Sequence, residues 1–243
     1  MIQEEPYIKQ PSGEQMAGPV IKVRSLFKSF GKHNDVLKGV DLTVNKGENL
    51  VILGKSGSGK SITIKCLVGL IAADKGEIKV LGTDILTLDT NQLNDIRLRI
   101  GFLFQNSALY DSMTVRENLG FPLRRHSNKM SSREIDDLIM EELESVGLKE
   151  AADKMPSELS GGMRKRIGLA RTLILKPEII LYDEPTTGLD TITSREMSEL
   201  IMAIQKKNKT SSIIITHDMA CAKVTGDRLV ILRDGGYRSG RKL

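Results

Sequence analysis

The chain has 243 residues, 40% hydrophobic and 28% charged, with a formal net charge of +5. That is enough to bury a full core as one α/β domain carrying an inserted or appended lobe. No stretch approaches the apolar length that spans a bilayer, so a soluble subunit is expected, and the dispersed basic residues permit contact with nucleic acid or an anionic membrane without requiring either.

Residues 1–19, with Glu4, Glu5, Pro6, Pro11, Gly13 and Pro19, lack the basic and apolar regions of a secretion signal and read as a flexible tail. From 20 to about 48, Val20, Lys22 and Leu26 and then Val36, Val40, Leu42 and Val44 alternate with polar positions, which predicts half-buried antiparallel strands. Lys46-Gly47 turns the chain into Asn49–Leu53, a run with the length and branching of a buried strand.

GKSGSGKS at 54–61 follows that strand and opens the predicted helix Ile62–Leu67. Gly54, Gly57 and Gly59 free the backbone so that successive amides can face one phosphate chain, and the helix start adds its positive dipole end. Lys60 is then expected on the β and γ phosphates, and the Ser61 hydroxyl on magnesium.

Asp74-Lys75-Gly76 leads into a strand at Glu77–Leu81, which Gly82-Thr83 ends. Gln105 follows the apolar run Ile100–Phe104, where it can ligate magnesium or water and pass on the nucleotide state. A helical character covers about 106–176, with capping boxes predicted at Thr114/Glu117 and Ser131/Glu134. Within it, Ser160-Gly161-Gly162 opens a helix whose apolar face is Met163, Ile167, Ala170 and Ile174. Ser160 is a natural N-cap, and the glycines allow an anion close to the free amides. One chain already has a phosphate loop, so this second anion site becomes useful when two chains meet head to tail.

Glu178–Tyr182 and Ser212–Thr216 read as central parallel strands, whose carboxyl ends collect ligands. Asp183 is expected to hold magnesium and Glu184 to orient and deprotonate the attacking water. His217, beyond the second strand, can donate to a γ-phosphate oxygen. Between the strands, Thr193/Glu196 predicts a third capping box before the packing stripe Met197, Leu200, Ile201, Ile204. Cys66 and Cys221 sit in apolar helical patterns without metal-site spacing, as buried thiols of a reducing compartment do. Lys206, Lys207 and Lys209 read as a solvated helix end; Arg238, Arg241 and Lys242 read as a mobile tail.

In this order GKSGSGKS, LSGGM (159–163), LYDEP (181–185) and THD (216–218) resemble ABC-transporter nucleotide-binding subunits over 20–237. The resemblance implies a P-loop NTPase fold: a mostly parallel central sheet, an N-terminal antiparallel β-subdomain and an inserted helical lobe. Residues 20–243 then form one ABC ATPase domain, with 20–105 and 177–243 as a RecA-like core and 106–176 as the lobe. It places Phe30 on adenine, Gly54, Lys55, Ser56, Gly57, Ser58, Gly59, Lys60, Ser61 and Ile62 around the phosphates, and Ser61, Gln105 and Asp183 on Mg2+. Glu184, His217 and Gln105 become the catalytic set, and Ser160, Gly161, Gly162 and Asp190 face the ATP of a second copy. Met163 departs from the common glutamine, which can complete a capping box with the serine.

LSGGM and residues 102–123 are similar to phospholipid-trafficking ATPases of the Mla/Mce type. The implied partners are polytopic permease subunits received around Gln105 and Leu109–Glu117, a second copy of the chain, and Mce-domain or accessory subunits, with no nucleic acid. The implied location is the cytoplasmic face of the inner membrane. After residues 228–236 only seven remain, so the regulatory tail of some relatives is not expected. Lipoprotein release and amino-acid uptake are alternative transport roles. A soluble factor acting on ribosomes or DNA is disfavoured by the single motif set, and a kinase or GTPase by the signature and His217.

Overall fold

The computed structural model describes residues 18–31, 35–126 and 130–242, with side chains to Tyr237. Of the tail expected at 1–19, residues 1–17 lie outside the described residues, as do the side chains of Arg238, Arg241 and Lys242.

Two sheets build the molecule. In the first, β1 (Ile21–Ser29) pairs antiparallel with β2 (Asp35–Val44). The alternating pattern slips between Val23 and Leu26 because the strand bulges there: Ser25 has φ 45° and its amide donates to Asp41 Oδ1 at 2.9 Å. The second sheet begins with β3 (Asn49–Leu53), every residue of which is buried. After α1 (Lys60–Leu67), the chain returns to the first sheet as β4 (Lys75–Val80) and the short β5 (Thr83–Asp84), giving the order β2-β1-β4-β5.

The remaining elements are α2 (Thr90–Leu98), β6 (Ile100–Leu103), α3 (Val115–His126), α4 (Ser132–Ser145), α5 (Gly161–Leu173), β7 (Ile179–Asp183), α6 (Thr191–Asn208), β8 (Ser211–Thr216), α7 (Met219–Thr225), β9 (Arg228–Arg233) and β10 (Gly236–Lys242). The second sheet has the order β10-β9-β3-β8-β7-β6 and is parallel from β9 to β6. β7 and β8 are buried along their whole length, as continuous apolar runs with both faces covered must be. One core fills the space between the two sheets around α1, a second lies under α5 and α6, and a third joins α3, α4 and α5.

The local signals held at two of the three predicted capping boxes. Thr114 N donates to Glu117 Oε2 at 2.8 Å while Glu117 N donates to Thr114 Oγ1 at 3.2 Å, and Ser131 and Glu134 close the same box at the start of α4. The box expected at Thr193/Glu196 does not form. Asp190 caps α6 instead, accepting from the amides of Ile192 and Thr193 at 3.0 Å each, so the helix starts earlier and Thr193 is already inside it. Glu196 is thereby free to pair with Arg166 on α5 at 2.5 Å. The expected mobile tail is also corrected: the backbone of Gly236–Lys242 is a strand antiparallel to β9, and the Tyr237 hydroxyl anchors it by donating to Thr63 Oγ1 at 3.2 Å.

Candidate active site

Strand order brings the motifs together. β3, β8, β7 and β6 lie side by side and parallel, so the residues that follow them, the 54–61 loop, His217, Glu184 and Gln105, share one edge of the sheet. A cavity of about 660 Å³ opens there. The loop lines it with Ser56, Gly57, Gly59, Lys60, Ser61 and Ile62, and Gln105, Glu184 and His217 face it from the strand ends. Phe30 and Val36 form the wall from the antiparallel sheet. Phe30 is 45% exposed, with Lys28 Nζ at 5.3 Å from its ring centre, so an aromatic face stands at the cavity mouth.

The loop's glycines serve two ends. Gly57 and Gly59 have φ of 77° and 99°, which only glycine takes readily, and at Gly59 a Cβ would also meet Val36 Cγ1 at 2.8 Å. Gly54 was expected for the same backbone freedom; its φ is ordinary, and its requirement is close approach, since a Cβ would lie 2.8 Å from Leu232 O and from Ser58 Oγ. Ser58 Oγ is buried with no hydrogen-bond partner among the described residues, a donor available to an anion cradled by the loop.

Lys60 is 6% exposed and donates to the carbonyls of Gly54 at 2.7 Å and Lys55 at 3.0 Å; its ammonium is 3.8 Å from Glu184 Oε1. Ser61 Oγ donates to Asp183 Oδ1 at 2.7 Å. Burial pushes the Asp183 carboxyl above its ordinary value against the opposing effects of the Ser61 hydroxyl and Lys65, so a cation beside it would favour its ionised form. No cluster of three His, Cys, Asp or Glu side chains suited to a metal occurs among the described residues. A hydroxyl beside one carboxylate suits Mg2+, which keeps waters and phosphate oxygens as its other ligands.

Glu184 ends the Asp183-Glu184 pair in a left-handed conformation, φ 53°, with its amide held by Ile215 O at 2.9 Å. Its Oε2 accepts from Thr187 Oγ1 at 3.2 Å and lies 2.7 Å from His217 Nδ1. A carboxylate aimed from a strained residue and steered by three neighbours is arranged for proton transfer. Thr187 and Val36 are cavity residues to which the sequence assigned no site role, Val36 being expected only in a half-buried strand; Thr187 lies within the DEPTTGLD run at 183–190, three residues after Glu184, and that spacing was the available signal.

Ser160, Gly161, Gly162 and Asp190 do not line this cavity. Ser160 caps α5 as predicted, accepting from Met163 N at 3.2 Å, and no side chain answers it from position 163. Gly162 packs against α6, where a Cβ would meet Thr193 Cγ2 at 2.7 Å. Both cysteines are buried and unpaired.

Comparison with known proteins agrees with this geometry. The model of the ABC transporter family matches residues 37–187. The chain is 44% identical over 220 residues to the probable ribonucleotide transport ATP-binding protein mkl of Mycobacterium leprae, covering 90% of this chain and 63% of the relative. It is 41% identical over 243 aligned positions to protein TRIGALACTOSYLDIACYLGLYCEROL 3, chloroplastic, of Arabidopsis thaliana, covering 93% of this chain and 70% of that one. The chain thus spans less than two thirds of the length of the mycobacterial relative. Among solved structures, the post-hydrolysis dimer of the ATP-binding cassette MJ0796 bound to ADP and Pi superposes with a TM-score of 0.83 at 32% identity, over 92% of this chain and all of that one. With more than half of its length matched by the family model and nearly all of it by a nucleotide-bound cassette, the chain belongs to the ABC transporter family, as one of its ATP-binding, ATP-hydrolysing cassettes.

Proposed function

We propose that this chain energises a membrane transporter that moves phospholipid between the inner and outer membranes. The observation that carries the catalytic part is the shared strand edge on which Ser61 meets Asp183 and Glu184 meets His217. Phe30 stacks on the base, and Gly54 to Ile62 with Lys60 hold the phosphates. Ser61, Asp183 and Gln105 would hold Mg2+, which when bound neutralises phosphate charge. Glu184 takes the proton of the attacking water, and His217 donates to the terminal phosphate.

Two copies work head to tail, each presenting Ser160, Gly161, Gly162 and the Asp190 loop to the nucleotide of the other; support comes from the position of these residues outside their own chain's cavity lining. Residues 20–105 and 177–243 act as the core and 106–176 as the moving lobe. No helix among the described residues is long and apolar enough to cross a membrane, so transport requires polytopic permease subunits, which the segment Leu109–Glu117 would receive at the cytoplasmic face of the inner membrane. Mce-domain and accessory subunits complete the assembly.

The cargo rests on the lipid-transporter likeness of LSGGM and residues 102–123, and one relative bears the name of a diacylglycerol glycolipid. The mycobacterial relatives carry the name of ribonucleotide transport, which is the competing cargo. Glu184→Gln should keep nucleotide binding and lose turnover by about 10²–10⁴; wild-type hydrolysis by that variant rejects the assignment. Lipid extraction from the purified complex separates the cargoes: retained phospholipid supports the reading, and a complex holding only ribonucleotide or amino acid overturns it.

A further inference from the structure

Lys165 has no counterpart in the roles assigned so far. It lies on the signature helix α5 and is 6% exposed, as buried as Lys60. No acidic side chain pairs with it among the described residues. Its ammonium donates instead to two main-chain carbonyls, Gln105 O at 2.5 Å and Glu184 O at 3.2 Å. Desolvation pulls its pKa below the ordinary lysine value, and the charges of Glu184 and Asp183 oppose that shift. A buried cation needs acceptors, and here it finds two, on residues that follow the adjacent strands β6 and β7.

The Glu184 carbonyl is an informative acceptor. Glu184 sits at φ 53°, and its amide is already fixed by Ile215 O on β8. The bond from Lys165 fixes the other side of the same residue, so the direction of the Glu184 side chain depends on where α5 lies. Gly168, one turn further along α5, is pressed so closely to the loop after β6 that a Cβ would meet Ser107 Cβ at 2.8 Å. Arg171 on the same helix donates to Ala108 O. Ser107 and Ala108 are both left-handed, at φ 62° and 49°. The helix therefore grips the Gln105 loop at three successive places and the Glu184 backbone at one.

We propose that Lys165 is a positioning residue for hydrolysis, a pin through which movement of the signature helix sets the aim of Glu184 and the pose of the Gln105 loop together. The proposal rests on the catalytic assignment of Glu184 made above. A lysine that merely fills its pocket would leave turnover unchanged once the protein is folded; a pin would change kcat and leave nucleotide affinity alone.

The test uses the full chain with Mg-ATP, following hydrolysis and, separately, binding of methylanthraniloyl-ATP. Lys165→Met should lower kcat by at least about tenfold with affinity within about twofold, and Lys165→Arg should recover most of the rate. The double variant Lys165→Met/Glu184→Gln should hydrolyse no more slowly than Glu184→Gln alone, because the lysine acts through the glutamate. Wild-type kcat in Lys165→Met, a loss confined to KM, or losses that multiply in the double variant would each overturn the proposal. Should Lys165→Met not fold, Lys165→Gln, which keeps a donor, takes its place under the same criteria; collapse of both counts against a positioning role. A wild-type chain that hydrolyses nothing sinks the functional reading, whereas active wild type, inert Glu184→Gln and unimpaired Lys165→Met sink this inference alone.

Discussion

Glu184 Oε2 and His217 Nδ1 meet at 2.7 Å across the ends of two neighbouring strands, and the His217 amide lies 3.3 Å from the same oxygen. The imidazole is 63% exposed while the carboxylate is 12% exposed, so the pair joins a group open to the cavity with one nearly withdrawn from water. Removing the imidazole takes away one of the contacts that steer the carboxylate and, under the proposed function, a donor toward the terminal phosphate. His217→Ala should lower single-turnover hydrolysis by about a hundredfold with nucleotide affinity little changed. An unimpaired single-turnover rate would contradict that role.

Asn118, wholly buried on α3, holds the segment in front of it: its two amide hydrogens are shared among the carbonyls of Tyr110, Met113 and Thr114 at 3.0–3.1 Å, and its Oδ1 accepts from Tyr110 N at 2.8 Å. Asn118→Leu strands Tyr110 N and Met113 O, since Tyr110 O and Thr114 O keep the backbone amides of Met113 and residue 118, and should destabilise the chain by about 2–4 kcal/mol in urea unfolding. Limited proteolysis should cut first between 108 and 114, with hydrolysis by the isolated chain retained. Unchanged stability would show that water replaces the side chain at no cost.

The amount of this that the sequence discloses follows the range of the interactions. Buried parallel strands, the phosphate loop and the Ser160 cap are written in short windows, and they appear where such windows place them. Asp190 displaced Thr193 as the cap of α6 because a carboxylate in an extended residue can accept from two amides at once, an advantage visible locally but outweighed in the reading by the Thr-x-x-Glu pattern. Lys165 was invisible for a different reason. Its partners are carbonyls at 105 and 184, and backbone acceptors leave no mark in composition. Tyr237 and β10 were missed likewise, since the anchor at Thr63 lies 174 positions away.

Asp74 gives the protein an acid-sensitive joint. Its carboxylate accepts from Lys28 Nζ at 2.7 Å and from the Ser29 amide and hydroxyl at 2.7 and 2.8 Å, which together lower its pKa from 3.8 to about 2. The folded value lies below the unfolded one, so the stabilisation is present above 3.8 and is lost as pH falls through about 2. Asp74→Asn should therefore show a shallower decline of the urea midpoint between about pH 4 and pH 2 than the wild type. Parallel declines would refute the assignment.

Burial pushes the Cys66 thiol up to about 11 and raises Cys221 as well, and both side chains are at most 2% exposed. Neither holds a useful fraction of thiolate near neutrality. Ellman's reagent at about pH 8 should leave both thiols of the native chain untouched and titrate both in guanidinium chloride. Rapid labelling of the native chain would mean that α1 or α7 opens readily.

The hairpin turn at Asp234-Gly235 has a mechanical consequence. Gly235 O receives the amide of Lys38 at 2.7 Å, and a Cβ on Gly235 would sit 3.0 Å from Val36 O; on its other flank Val36 Cγ1 lies 2.8 Å from where a Cβ on Gly59 would stand. A single valine is thus wedged between the phosphate cradle and the last turn of the chain. Bulk added at 235 would press on that valine, and the wall of the cavity would shift under a change made outside its own lining.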